Sequence, residues 1–168
     1  NRLMTDPINI FDRTAIRRHR DRAAARMDQH DFLLREVGHR LADRLQNIKR
    51  RFPRTLDLGC HRGELGEILV HRDDIKCIVN CDPSFGMVAL SPGPRLVADE
   101  DALPFRNSCF DLVMSLLSLH WVNDLPGALI QVARCLKSDG LFLAAMFGGE
   151  TLVELRRSLL EAEVKTRG

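Results

Sequence analysis

Three acidic residues close three successive segments that have the pattern of short apolar strands. Asp57 lies in the stretch LDLGCHRGEL, Asp82 follows 25 residues later, and Asp99 ends a third strand candidate. A carboxylate at such a strand end can accept hydrogen bonds from ribose hydroxyls, which suits Asp82. Asp57 suits a ligand with an ammonium group, and Asp99 suits an adenine amino group. The alternative interpretation is that these acids only cap their strands.

The turn after the first strand candidate is built on two glycines. Gly59 permits a tight turn, and Gly63 lets the backbone and a helix start approach a ligand closely. A dinucleotide fingerprint needs glycines at positions 61 and 64, where this chain has His61 and Glu64, so nicotinamide and flavin cofactors are not indicated. A phosphate loop is also excluded, since no G-K-[ST] follows. The spacing that fits is D-x-G-x-x-x-G, which begins at Asp57.

Positive charge is concentrated at the beginning of the chain. Residues 1–54 hold 14 Lys and Arg against 7 Asp and Glu (+7), and the remaining residues hold 11 against 16 (−5). The simpler interpretation is a solvated helix face, in which Asp12, Asp21 and Asp28 share the charge of the arginines. An acidic partner or nucleic acid is the alternative. We do not expect nucleic acid, because no aromatic residues interleave with these arginines. The arginines concerned are Arg13, Arg17, Arg18, Arg20, Arg22 and Arg26.

The composition argues against a metal site and against a membrane segment. The five cysteines and six histidines have no ligand spacing, so no bound metal is expected. We interpret the cysteines as reduced core residues of an intracellular protein. No apolar run approaches the roughly 20 residues that span a bilayer, and no secretory signal is visible.

The order of the predicted elements indicates an α/β fold. Two helices, 13–29 and 31–52, form an N-terminal helical flap over residues 1–52. The region 53–168 then alternates strands and helices, which predicts a Rossmann-like three-layer sandwich with a mostly parallel sheet. The predicted strands are 55–58, 75–81, 95–98, 110–117 and 141–147. The predicted helices of this region are 63–71, 83–90, 124–136 and 150–164, and residues 138–140 are predicted to form a turn.

Four stretches together resemble a class I S-adenosylmethionine-dependent methyltransferase over residues 52–147. They are LDLGCHRG, NCDPS, VADEDALPF and FDLVMSLLSLHWVNDL. Further stretches make the whole chain similar to the methyltransferase-like assembly factor family of respiratory complex I. These are NIFDR at 9–13, SLLSLHWVNDLP at 115–126 and AMFGGETLVELR at 145–156.

The resemblance implies S-adenosylmethionine as the cofactor and a set of site residues. It assigns His120 and Trp121 to the transfer centre as catalytic residues. The implied cofactor-binding residues are Asp57, Gly59, Cys60, His61, Gly63, Asp82, Pro83, Asp99, Glu100 and Leu116.

Several activities are compatible with this resemblance. The first is methyl transfer to an unidentified acceptor, with a protein or a subunit of complex I among the candidate partners. The second is arginine hydroxylation, which the mitochondrial member is regarded as performing on a complex I subunit. The third is a non-catalytic role in complex I assembly. Malonyl-carrier-protein methylation in biotin synthesis is the activity of a related family. The location implied is the cytoplasm in a bacterium, or the mitochondrial matrix in a eukaryote.

Two departures from the family pattern have consequences. His61 replaces a usual glycine, and a non-glycine residue at positive φ costs roughly 1–2 kcal/mol. The family fold also has two further strands after the fifth, whereas this sequence stops at Gly168. We therefore predict a bare sheet edge at the fifth strand and a homodimer that forms through it.

Overall fold

The computed structural model describes residues 9–149 and Val153. Five strands form one sheet in the order β3-β2-β1-β4-β5, and each neighbouring pair is parallel. The predicted α/β Rossmann-like class is confirmed. The strands are β1 Arg54–Leu58, β2 Cys77–Asp82, β3 Arg95–Val97, β4 Phe110–Leu116 and β5 Leu136–Ala145. The helices are α1 Arg13–Ala23, α2 Phe32–Gln46, α3 Glu64–Ile68, α4 Phe85–Leu90 and α5 Leu125–Cys135, with 3-10 turns at Ala24–Gln29 and Leu119–Trp121.

Hydrophobic burial on both faces holds the sheet between its helices. All seven residues of β4 are buried, as its apolar sequence predicts for a strand covered on both sides. Leu112 packs with the leucines of α2 and α3, whereas Val113 packs with residues of α5. Because β1 and β2 are parallel neighbours, their carboxyl ends lie at the same edge of the sheet. Asp57 and Asp82 lie at that edge.

The second predicted helix is shorter than its apolar pattern suggested. We predicted it to continue to residue 52, but α2 ends at Gln46. Phe52 keeps the period of the stripe and is fully buried, yet it reaches the core from the segment that leads into β1. The pattern was wrong here because burial of a residue at helical spacing does not require that residue to be helical.

β5 begins earlier than predicted. Leu136 already pairs with Phe110 of β4, and the next pair is Leu141 with Leu112. Residues 138–140, predicted as a turn, therefore lie within an irregularity of the strand. Within the described residues β5 pairs only with β4, so it lies at an edge of this sheet. The homodimer through that edge stays a prediction.

The predicted helix 13–29 is divided into α1 and the 3-10 turn Ala24–Gln29. The other elements within the described residues lie where the sequence placed them, with their ends shifted by a few residues. The predicted helix 150–164 lies outside the described residues, apart from Val153. In the part of the chain that the structure describes, no helix is long and apolar enough to cross a membrane.

Candidate cofactor-binding site

Asp57 is a buried carboxyl group without a partner. It lies near the end of β1, and its residue exposure is 1%. Neither of its two carboxyl oxygens has a hydrogen-bond partner. Burial raises its pKa well above the ordinary value, and the charges of Glu64 and Asp82 raise it further. An arrangement of this kind favours a cationic group beside Asp57, because a cation removes the cost of burying the charge.

The glycine turn that follows has no room for side chains at its two glycines. Gly59 has φ 70° and Gly63 has φ 92°. A Cβ at Gly59 would lie 2.2 Å from the side chain of Ser118, and one at Gly63 would lie 2.6 Å from Pro92. Both positions therefore need glycine, for conformation and for space.

His61 also adopts positive φ, at 51°. Its backbone N–H donates to Asp82 Oδ2 at 3.1 Å, and its ring Nε2 lies 2.9 Å from the carbonyl oxygen of Leu116. Burial, followed by the charge of Arg20, lowers the pKa of His61 to about 4. The ring is therefore neutral at neutral pH. Because a carbonyl only accepts, the hydrogen lies on Nε2 and the ring donates to Leu116.

Asp82 is fully buried and already has three donors. Its Oδ1 accepts from the backbone N–H of Ser84 at 2.8 Å. Its Oδ2 accepts from His61 and from the guanidinium of Arg20, the latter at 2.8 Å. Burial raises the pKa of Asp82, although Arg20 acts in the opposite direction. Asp82 thus lies where a ribose-binding carboxylate was predicted, but it already forms an ion pair with Arg20 of α1.

The other two predicted acids are also paired with α1. Arg13 donates to Asp99 Oδ1 at 2.5 Å and to Glu100 Oε2. Burial would raise the pKa of Asp99, but the hydrogen bond and charge of Arg13 lower it overall. Ser118 joins the two arginines, because it accepts from Arg20 at 3.0 Å and donates to Glu100 at 2.6 Å.

For Arg13 and Arg20 these contacts correct the interpretation of the N-terminal arginines as a solvated helix face, whereas the other four arginines of that set are exposed as predicted. Arg20 is 9% exposed and is the buried residue of α1. It lies seven residues, or about two turns, after Arg13, so both project to the same side of the helix. The sequence analysis did not predict that Arg13, Arg20 or Ser118 would lie in the candidate site. The seven-residue spacing was the available signal, but the exposed arginines between them concealed it.

His120 and Trp121 lie in the 3-10 turn after β4. The ring centroid of His120 lies 5.2 Å from that of Trp121 and 4.7 Å from that of Phe147. Its Nδ1 is buried without a partner. Burial, and then the charge of Arg20, lowers the pKa of His120, which favours the neutral ring. A neutral imidazole with a free nitrogen is able to accept a proton.

The other predicted site residues have structural contacts in the same region. Leu116 ends β4 and accepts from His61 as described above. Cys60 is buried, and burial raises the pKa of its thiol far above the ordinary value, so it is not a nucleophile here. Pro83 is buried between Asp82 and Ser84. The roles of all the predicted site residues stay predictions.

No cluster of three or more His, Cys, Asp or Glu residues able to hold a metal ion occurs within 9–149 or at Val153. The polar groups gathered at the strand ends are instead carboxylates, a hydroxyl, imidazoles and guanidinium groups. Such a set suits an organic ligand with hydroxyl and amino groups.

Comparison with protein families gives a match over residues 56–144, to the family described as "Methyltransferase domain". The chain belongs to this methyltransferase family. The match begins in β1 and ends in β5, so it covers the strand ends and the glycine turn.

Known members similar to this chain carry two different activities in their names. The protein named "Arginine-hydroxylase NDUFAF5, mitochondrial" of Danio rerio is 45% identical over 167 residues, which are 96% of this chain and 52% of the relative. The "Malonyl-[acyl-carrier protein] O-methyltransferase" of Gallionella capsiferriformans is 33% identical over 163 residues, which are 89% and 56% of the two chains. The chain therefore spans about half the length of the curated relatives it matches.

A solved structure supports the same assignment. The methyltransferase of Haloferax volcanii, in complex with the Trm112 methyltransferase activator, superposes with a TM-score of 0.67. It is 27% identical, and the match covers 78% of this chain and 60% of that one. Family membership and fold together indicate S-adenosylmethionine as the cofactor. The predicted similarity to a mitochondrial family related to methyltransferases is likewise confirmed, at the 45% identity given above.

Proposed function

We propose that this chain binds S-adenosylmethionine at the glycine turn and catalyses methyl transfer from it. The observation that carries the proposal is Asp57, whose two buried oxygens have no partner beside a turn that requires Gly59 and Gly63. In this proposal the cofactor's ammonium group faces Asp57, Asp82 accepts from the ribose hydroxyls, and Asp99 and Glu100 lie at the adenine. The residues present fit the cofactor chemically, provided that Arg20 leaves Asp82.

The chain's own contribution to catalysis is orientation and removal of a proton. When bound, the cofactor supplies a methyl group that its sulfonium makes electrophilic. The glycine turn and the acids fix the position of that group, which is the larger part of what a protein must supply. His120 holds an unpartnered Nδ1 and has a lowered pKa, so we assign it as the base that takes a proton from the acceptor. Trp121 forms the adjoining wall.

Calorimetric titration tests the cofactor assignment. Wild-type protein should bind both adenosylmethionine and adenosylhomocysteine. Asp57→Asn should weaken adenosylmethionine binding by roughly 10–150-fold, which corresponds to about 1.5–3 kcal/mol for a hydrogen bond to a charged group. Asp43→Asn is the matched control, because Asp43 is an exposed acid of α2. Absence of binding both to folded wild-type protein and to a folded variant in which Arg20 is replaced by Gln would refute the proposal.

A second candidate function is modification of an arginine side chain in a protein partner. It is favoured by one observation: the pocket already holds a guanidinium, that of Arg20, between Asp82 and Ser118. The name of the Danio rerio relative points to the same substrate class. Mass spectrometry of a candidate partner protein separates the two chemistries. Methyl transfer adds one methylene to the acceptor, and hydroxylation adds one oxygen.

For the partner and the location we rely on the family that the sequence resembles. A subunit of respiratory complex I is the acceptor or assembly partner that we favour, and a malonyl carrier protein is the alternative. The corresponding location is the bacterial cytoplasm or, in a eukaryote, the mitochondrial matrix. A non-catalytic role in assembly predicts that Asp57→Asn and His120→Ala variants still support assembly of complex I in cells that lack the wild-type protein.

A further inference from the structure

Polar contacts attach α1 to the rest of the molecule. Its one buried residue is Arg20, and its apolar residues Ala15 and Ile16 are only partly buried. Arg13 and Arg20 contact the acids at the strand ends. Asp21 accepts from the hydroxyl of Ser84 at 2.5 Å and from the backbone N–H of Gly86 at 2.9 Å. A ligand that binds the same carboxylates competes with Arg13 and Arg20 for them.

The carboxylates that α1 occupies are the ones assigned to the cofactor. A carboxylate offers roughly four lone-pair positions, and Asp82 already accepts three hydrogen bonds. Two ribose hydroxyls need two positions. The backbone donors from His61 and Ser84 belong to the turns that build the site, so Arg20 is the donor that must leave.

The exchange replaces the arginine donors at the carboxylates by donors of the cofactor. Breaking a buried ion pair by removal of one partner is costly because it leaves the other charge buried without a partner. The cofactor would bring ribose hydroxyls to Asp82 and the adenine amino group to Asp99 and Glu100, so these carboxylates would still accept hydrogen bonds after the arginines leave. Arg20 moves from a buried site to water, where its guanidinium is fully hydrated.

The beginning of α1 has a separate attachment that survives this exchange. The backbone N–H of Phe11 donates to Asn123 at 2.8 Å, and the amide of Asn123 donates back to Phe11 at 3.0 Å. The Phe11 ring packs edge-to-face on Trp121 at 5.5 Å. At its other end α1 runs into the 3-10 turn Ala24–Gln29 rather than directly into α2. The helix therefore has a fixed start and an irregular end.

We infer that Arg13 and Arg20 are resident counter-ions of the cofactor site, and that α1 is an arginine strap that must release them before the cofactor binds. The inference rests on the proposed cofactor. The strap closes the site in the absence of ligand, when Asp82, Asp99 and Glu100 would otherwise repel one another. It also makes cofactor affinity depend on the docking of α1, so a partner that binds α1 would change that affinity.

Calorimetry on matched arginine variants tests the inference. Arg20→Gln should bind adenosylhomocysteine about tenfold more tightly than wild type, if the closed strap leaves about a tenth of the molecules competent. Arg18→Gln removes the same charge from an exposed position of the same helix and should bind like wild type. Equal or weaker binding by Arg20→Gln overturns the inference and leaves the proposed cofactor standing. No binding by folded wild type and folded Arg20→Gln overturns the proposed function itself.

Hydrogen exchange of the wild-type protein gives an independent test that needs no variant to fold. Adenosylhomocysteine should accelerate amide exchange in α1, whereas the amides of α2 should be unaffected. Slower exchange in α1 on ligand binding would show a helix that closes over the cofactor, and would overturn the inference.

Discussion

The two N-terminal helices are neighbours in sequence and are attached in opposite ways. α2 buries Leu34, Leu41 and Leu45 against the sheet. α1 buries Arg20, and it meets the acids at the ends of β2 and β3. We conclude that α2 is part of the scaffold and that α1 is part of the site. A single helical flap over residues 1–52, as the sequence suggested, thus combines two parts with different physical roles.

Asp82→Ala should have the largest effect on the attachment of α1. It leaves Arg20 buried without its carboxylate and removes the acceptor of two backbone N–H groups. We expect a loss of about 3–5 kcal/mol in the free energy of unfolding, measured by urea denaturation. The double variant Asp82→Ala/Arg20→Leu should recover a large part of that loss. A single variant as stable as wild type would show that the ion pair does not hold α1.

Leu45→Ala tests the other half of the comparison. Leu45 is fully buried, so its truncation should cost about 2–5 kcal/mol of unfolding free energy. The affinity of the folded fraction for adenosylhomocysteine should not change, because α2 does not touch the acids. Leu33→Ala is the control, since Leu33 is 39% exposed on the same helix. A change in affinity at unchanged stability would contradict the assignment of α2 to the scaffold.

Asp57→Asn tests how much the buried carboxyl group of Asp57 destabilises the folded protein in the absence of ligand. The pKa of Asp57 is raised in the folded protein, so above the unfolded value the folded state retains a proton that the unfolded state has lost. This group therefore destabilises the wild type progressively as pH rises through and above about 4. The stability of Asp57→Asn relative to wild type should increase from pH 4 to pH 8 in the absence of ligand. A constant difference over this range would show that Asp57 ionises normally.

Of these changes His61→Gly should have the smallest effect, and that effect should be on the affinity for adenosylmethionine. The change restores a residue suited to φ 51° and frees the Leu116 carbonyl as an acceptor. We expect adenosylmethionine to bind a few-fold more tightly, in line with about 0.5–1.5 kcal/mol for one hydrogen bond. His61→Ala frees the same carbonyl but keeps a side chain at positive φ, so it separates the two causes. Equal or weaker binding by His61→Gly would make the histidine a useful member of the site.

The sequence predicted the scaffold better than the state of the site. The strands β1 and β4 could be predicted because the local pattern of apolar residues alone indicates a buried strand. The acids Asp57 and Asp82 were recognisable because strand ends of a parallel sheet converge. The hydrogen-bond partners of those acids could not be predicted, because Arg20 differs from the exposed Arg18 only in the direction it faces after α1 docks. That direction is a tertiary property, and the same holds for the end of α2 at Gln46.

A crystal structure of the protein with adenosylhomocysteine tests the central claim most directly. The account predicts ribose hydroxyls within hydrogen-bonding distance of Asp82 and the ligand's amino group beside Asp57. It also predicts that the Arg20 guanidinium has left Asp82. A ligand bound elsewhere, with Arg20 still paired to Asp82, would contradict both the site and the strap.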